Sequence, residues 1–145
     1  ASHPGASSPY SYREMLEPYM KNAQVAMCPS HNITSGWSYG PNITSVSSNG
    51  STGHSYLHCY RKISMFEYPA ECAAFMDTGG SYWRYNASAT PDYLDGLDNT
   101  TARHNDGMNC SFYDGHVKWV SYAYVMGEAQ KKLGGGTSNF LTGGM

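Results

Sequence analysis

Charge is what this sequence has least of: Asp, Glu, Lys and Arg make up 14% of its 145 residues, against about 25% in an ordinary globular domain. The exposed surface must therefore be built from Ser, Thr, Asn, Gly and the 13 Tyr, which suits an extracellular or cell-surface protein. There is no run of Lys or Arg and the net charge is −2, which excludes nucleic acid or an anionic lipid surface as a main partner. Long apolar runs are also missing. Nothing approaches the ~18 residues of a membrane span, and no signal peptide is present, so any targeting segment is expected to have been removed. No stretch reads as an interdomain linker, so one domain is expected. No Cys-x-x-Cys pair occurs, and the spacings of 31, 13 and 38 between Cys28, Cys59, Cys72 and Cys110 do not resemble a structural zinc site. An even set of four in a chain of secreted character favours two disulfides, with three pairings open.

What is present is organised around residues 103–120. Asp114-Gly115 between two alternating runs is a strong hairpin signal, and a two-residue type I′ turn is expected there. Tyr113 then faces His116, Phe112 faces Val117, Ser111 faces Lys118 and Cys110 faces Trp119. Met108, Cys110, Phe112, Val117 and Trp119 fall on a core-facing side, and Asn109, Ser111, Tyr113, His116 and Lys118 on a wet one. The apolar run Cys72 to Met76 reads as the central strand. Neighbouring strands could pair Cys72 with Cys110, leaving Cys28 with Cys59.

His104, nine residues, and then Asp114-Gly115, followed by His116-Val117-Lys118-Trp119, resembles the bacterial prepilin-type processing-associated domain named for that spacing. Two further pieces agree in order: Leu16 to Asn22 leading to Cys28-Pro29-Ser30, and Tyr68-Pro69-Ala70-Glu71 leading to Asp77. The resemblance implies a pilin-like or pseudopilin-like protein, with a small α+β head outside the membrane behind a long apolar N-terminal helix. This sequence opens instead with Ala1 to Pro9, rich in Ser, Pro, Gly and Ala.

In chain order, residues 1–11 read as an extended arm. Ser11 and Glu14 make a capping box for a helix with Met15, Leu16, Tyr19 and Met20 on one stripe, shortened by Pro18. A short strand over Gln24 to Met27 is expected next. Residues 30–55 read as a long surface loop or irregular hairpin with an echo, Asn32-Ile33-Thr34-Ser35 and Asn42-Ile43-Thr44-Ser45. A strand over Ser55 to Tyr60 and a second excursion over 78–102 follow. Ala123 to Leu133 makes a helix ended by Gly134, and 134–145 is a Gly-rich C-terminal arm. The expected fold is α+β: a small antiparallel β-sheet with short flanking helices, long surface loops and extended termini around a head of residues 12–133.

Catalytic constellations are weak. Gly36-Trp37-Ser38-Tyr39-Gly40 has the letters of a nucleophile elbow but lacks the strand–turn–helix setting, with Pro41 following it. His54 with His58, and His104 with Asp106, Asp114 and His116, do not form one zinc site in hairpin geometry. His104 reads instead as a neutral histidine that fixes the Asp114 turn or bonds a nearby carbonyl. Asp92, Asp95, Asp98 and Asp106 offer oxygen donors for a structural Ca²⁺, without EF-hand spacing. Asn-x-Ser/Thr occurs six times, at Asn32, Asn42, Asn49, Asn86, Asn99 and Asn109, against about 1.7 by random placement, which suggests N-glycan acceptors.

The expectation is a non-enzymatic, glycosylated extracellular subunit of a homopolymeric pilus-like filament, requiring no cofactor. Tyr10, Phe140 and Leu141 would be the anchors by which each arm docks on a neighbouring copy. The alternative is a secreted head that binds carbohydrate through Trp37, Trp83 and the tyrosines, or a metal-dependent hydrolase using His104, Asp106 and Asp114.

Overall fold

The computed structural model describes residues 16–32, 37–44, 62–79, 83–85, 94–97 and 101–144. Their strands are β1 (Tyr39–Pro41), β2 (Ala73–Asp77), β3 (Arg84–Tyr85), β4 (Leu94–Asp95), β5 (Gly107–Phe112) and β6 (Val117–Ser121), followed by the helices α1 (Tyr122–Leu133) and α2 (Asn139–Thr142). A four-stranded antiparallel sheet runs β1-β2-β5-β6, and β3 pairs with β4. The α+β class read from the sequence is the observed one. No described helix is long and apolar enough to cross a membrane.

Among the described residues three 3₁₀ turns, Glu17–Tyr19, Ala23–Ala26 and Ile63–Met65, lie outside the sheet. Pro18 sits in the first turn, where its missing N–H costs nothing, while its ring disfavours an α-helix running through it from the N-terminal side. The strand expected over Gln24 to Met27 is the second of these turns. Asn22 starts it by accepting a hydrogen bond from the Gln24 backbone N–H (2.9 Å). The capping residues Ser11 and Glu14, and the strand expected over Ser55 to Tyr60, lie outside the described residues.

The central strand is Ala73–Asp77, one residue later than the apolar run. β5 pairs β2 on one side and β6 on the other, and Met108, Cys110 and Phe112 all point into the core. The turn differs from the expected one. Gly115 N–H donates to the Phe112 carbonyl and Phe112 N–H to the His116 carbonyl, 2.9 Å each. Among the turn residues only Gly115 has positive φ (95°), so the loop has three residues, with glycine in the left-handed position. This shifts the pairing by one, to Ser111↔Val117, Cys110↔Lys118 and Asn109↔Trp119. Because side chains alternate, the slip turns Val117 and Trp119 to the other face: they are 69% and 46% exposed. Val120, opposite Met108, is the buried residue of β6.

α1 begins where Ser121 accepts the Tyr124 N–H and ends at Gly134, within a residue of the expected span. It lays Val125 and Ala129 on the sheet. α2 corrects the expectation of a free C-terminal arm. Phe140 and Leu141 are 1% and 0% exposed and share the core of their own head with Trp83, Leu94 and Phe112. The reason is capping and pinning. Ser138 caps α2 at the Leu141 N–H and donates to Glu128, while the buried Asn42 amide donates to the Ala73 and Leu141 carbonyls (3.0 and 3.1 Å). Burying two such side chains favours docking by about 1.5–3 kcal/mol each, which outweighs the preference of the flanking glycines for disorder.

Candidate functional site

Four segments meet at the open end of the sheet: the turn ending in Cys28, β1, the last residue of β2, and the loop before β5. Cys28 is positioned by its N–H, which donates to Ser38 Oγ (2.8 Å). Ser38 N–H in turn donates to the Ala26 carbonyl. Asp77, fully buried, ends β2 opposite Tyr39. His104 is held by its backbone: its N–H donates to the Gly107 carbonyl, and its own carbonyl accepts Trp119 Nε1–H at 2.7 Å. Asn105 and Asp106 (φ 56° and 59°) make the tight turn that sends the chain into β5, a conformation Asn and Asp adopt more readily than other non-glycine residues.

The side chains converge. His104 Nε2 lies 3.4 Å from Cys28 Sγ and 3.4 Å from Asp77 Oδ2, and all three ligand atoms are within 4.8 Å of one another. Asp77 Oδ2 also accepts the Asn109 N–H (2.8 Å). On the other carboxylate oxygen, Arg103 Nε approaches Oδ1 to 3.3 Å, while Arg103 Nη2 donates to the Thr78 and Ser38 carbonyls (2.8 and 3.3 Å). Burial raises the Tyr39 hydroxyl pKa, and Cys28 and Asp77 add to the rise. Cys28 and Asp77 are buried, and the His104 side chain is 26% exposed, so this is a buried polar cluster whose most exposed member is the imidazole. Such a set can act as a polar tie between four segments or can ligate a cation.

Several expected sites are rearranged. His104 does not touch the hairpin turn: Asp114 is paired with His116 instead (Oδ1 to Nδ1 2.6 Å), because the six residues of β5 separate the two ends of the motif. His104, Asp106 and Asp114 therefore make no joint metal site, and the partners of His104 are Cys28 and Asp77. Of the proposed calcium donors, Asp106 is exposed at the loop before β5. Asp92, Asp98 and the Asp95 side chain lie outside the described residues. Among the described residues Cys28, Cys72 and Cys110 are free thiols, which corrects the Cys72–Cys110 pairing. The register puts Cys110 opposite Met76, and Tyr113 N–H donates to the Cys72 carbonyl, several residues along the ladder. Burial pushes the Cys72 thiol up to about 12, and Cys110 is raised further, first by burial. Cys59 and Tyr10 lie outside the described residues.

Asn42 cannot carry a glycan in this fold, since it is fully buried and its amide is used on both sides. Asn32 and Asn109 are exposed, while Asn49, Asn86 and Asn99 lie outside the described residues. Trp83 is 0% exposed and so offers no stacking surface for sugar. Trp37 is half-buried. Ser38 leads into β1 rather than a helix, so the elbow setting is missing in three dimensions as well. The Cys–Asp–His convergence was not anticipated. Its signal was that Cys28, Asp77 and His104 each came from a different one of the three motif pieces.

No protein-family model matches the chain, and no curated protein or solved structure matches it.

Proposed function

We propose that this chain is an extracellular structural subunit that self-assembles into a homopolymeric pilus-like filament and is not an enzyme. The observation that carries the reading is the edge of the sheet. β6 pairs with β5 alone among the described strands and presents Val117 and Trp119 to solvent. A sheet edge with apolar side chains is a template for another chain. Lys118 is its only charged residue and it contains no proline, so the usual protections against strand addition are few. A low-charge, Tyr-rich exterior supports repeated self-contact in the same way, and exposed Asn32 and Asn109 leave two acceptors free for sugar. An arm or edge of one copy adding to β6 of the next is a heterologous contact that does not close, which gives a fibre.

Negative-stain microscopy of the purified chain tests this. The unaltered chain is expected to form ordered fibres, and Val117→Lys with Trp119→Ser to remove them while far-ultraviolet circular dichroism stays that of the folded head. Monodisperse particles from the unaltered chain would refute the assembly reading; fibres from the double variant would refute β6 as the joint.

A further inference from the structure

We propose that Cys28, Asp77 and His104 form a three-ligand site for a transition-metal dication of the Zn²⁺ class. The argument starts from distances. Zn–S near 2.3 Å and Zn–N or Zn–O near 2.0–2.2 Å set neighbouring ligands of a tetrahedral ion roughly 3.4–3.6 Å apart. The pairs Cys28 Sγ to His104 Nε2 and His104 Nε2 to Asp77 Oδ2 are both 3.4 Å. The third pair lies within 4.8 Å, leaving little more than about 1 Å for side-chain rotation to close.

The geometry is also poor for hydrogen bonding alone. Both contacts of His104 fall on one nitrogen, which carries either one proton or one lone pair. A proton on Nε2 is shared between sulfur and carboxylate; without it the lone pair accepts the Cys28 S–H and still faces a carboxylate oxygen. A cation satisfies all three atoms together. Asp77 Oδ1 faces Arg103 Nε at 3.3 Å as an ion pair without hydrogen-bond geometry, and the other oxygen, Oδ2, is the one that faces His104 while accepting the Asn109 N–H.

The donor set selects the ion. One sulfur, one imidazole nitrogen and one carboxylate oxygen suit zinc, cobalt or copper and not the all-oxygen preference of calcium or magnesium. On binding, the Cys28 thiol proton passes to solvent, His104 binds through the Nε2 lone pair with its proton on Nδ1, and Asp77 binds through Oδ2. Thiolate and carboxylate then balance the dication. Asp77 Oδ1 remains beside Arg103, whose charge is shared with the Ser38 and Thr78 carbonyls, an outer partner of the kind that orients a ligating carboxylate. Entry is past His104, the exposed member, and that side leaves the fourth position for water. The site is independent of filament formation.

The test uses the reduced whole chain carrying Cys59→Ser, so that the one thiol outside the described residues cannot contribute. One equivalent of Co²⁺ is expected to give a thiolate-to-cobalt charge-transfer band and the visible absorption of four-coordinate cobalt, both displaced by Zn²⁺. The additional change Cys28→Ser should abolish the band, and His104→Gln should weaken cobalt affinity by more than ~100-fold, the upper end of what losing even an outer partner costs. Absence of the band, or its survival in Cys28→Ser, would overturn the proposal. If Cys28→Ser does not fold, zinc protection of Cys28 against iodoacetamide, read by peptide mass in the Cys59→Ser chain, decides it: equal labelling with and without zinc would overturn the site.

Discussion

Strand β5 has a neighbour on each side, whereas β6 has β5 alone among the described strands. The two are joined by a hairpin whose loop is Tyr113, Asp114 and Gly115, and both read as alternating apolar and polar positions, yet Met108 and Cys110 are fully buried while Val117 is 69% exposed. On β5 the alternation is enforced from both sides. β2 supplies Met76 opposite Cys110, and β6 supplies Val120 opposite Met108. On β6 only the turn and one ladder set the register, and a loop of three residues instead of two is enough to send Val117 and Trp119 outward. Apolar residues on an edge strand are therefore weak markers of the core.

The largest test of this contrast is truncation on each strand. Phe112→Ala should destabilise the head by about 3–5 kcal/mol through loss of buried area and the cavity left beside Phe140, while Val117→Ala should stay within ~0.5 kcal/mol. Denaturant unfolding with both variants checks this, and similar losses from the two would restore the two-residue turn and its register. A middle-sized effect is expected at the turn. Gly115→Val forces a β-branched residue to φ near 95° at a cost of about 1–3 kcal/mol, whereas Lys118→Ala on the exposed strand should be close to neutral. Thermal melts distinguish them.

The smallest effect is electrostatic. The His116 backbone N–H and then its imidazole hydrogen-bond the exposed Asp114 carboxylate and hold its pKa below the ordinary value. A depressed folded-state pKa stabilises the fold above the unfolded carboxyl value, and that contribution disappears as pH falls from about 4 through the lower folded value. Asp114→Asn should therefore flatten the acid limb of melting temperature against pH in that window and leave neutral pH nearly unchanged. A wild-type acid limb in the variant would mean the pair contributes nothing.

Local patterns made much of this fold legible: the β5 face and the span of α1. What they could not carry was anything set by a distant partner. Asn32 and Asn42 open the same tetrapeptide, but Asn32 is exposed while Asn42 is buried, because only Asn42 lies beside β2 and α2. Phe140 and Leu141 sit among glycines that read as a loose arm, and their burial depends on a pocket assembled from β2, Trp83 and β5. Cys28, Asp77 and His104 have no shared spacing, so their meeting becomes visible only once β2 is aligned against β5.

The Asn42 bond to Leu141 spans 99 residues, and this bears on how the molecule is made. Synthesis proceeds at about 5–20 residues per second, so Asn42 waits many seconds for the segment that uses its second amide hydrogen. Until then the nascent chain cannot close its core, and the folding step that completes it is a long-range closure of the kind that slows folding.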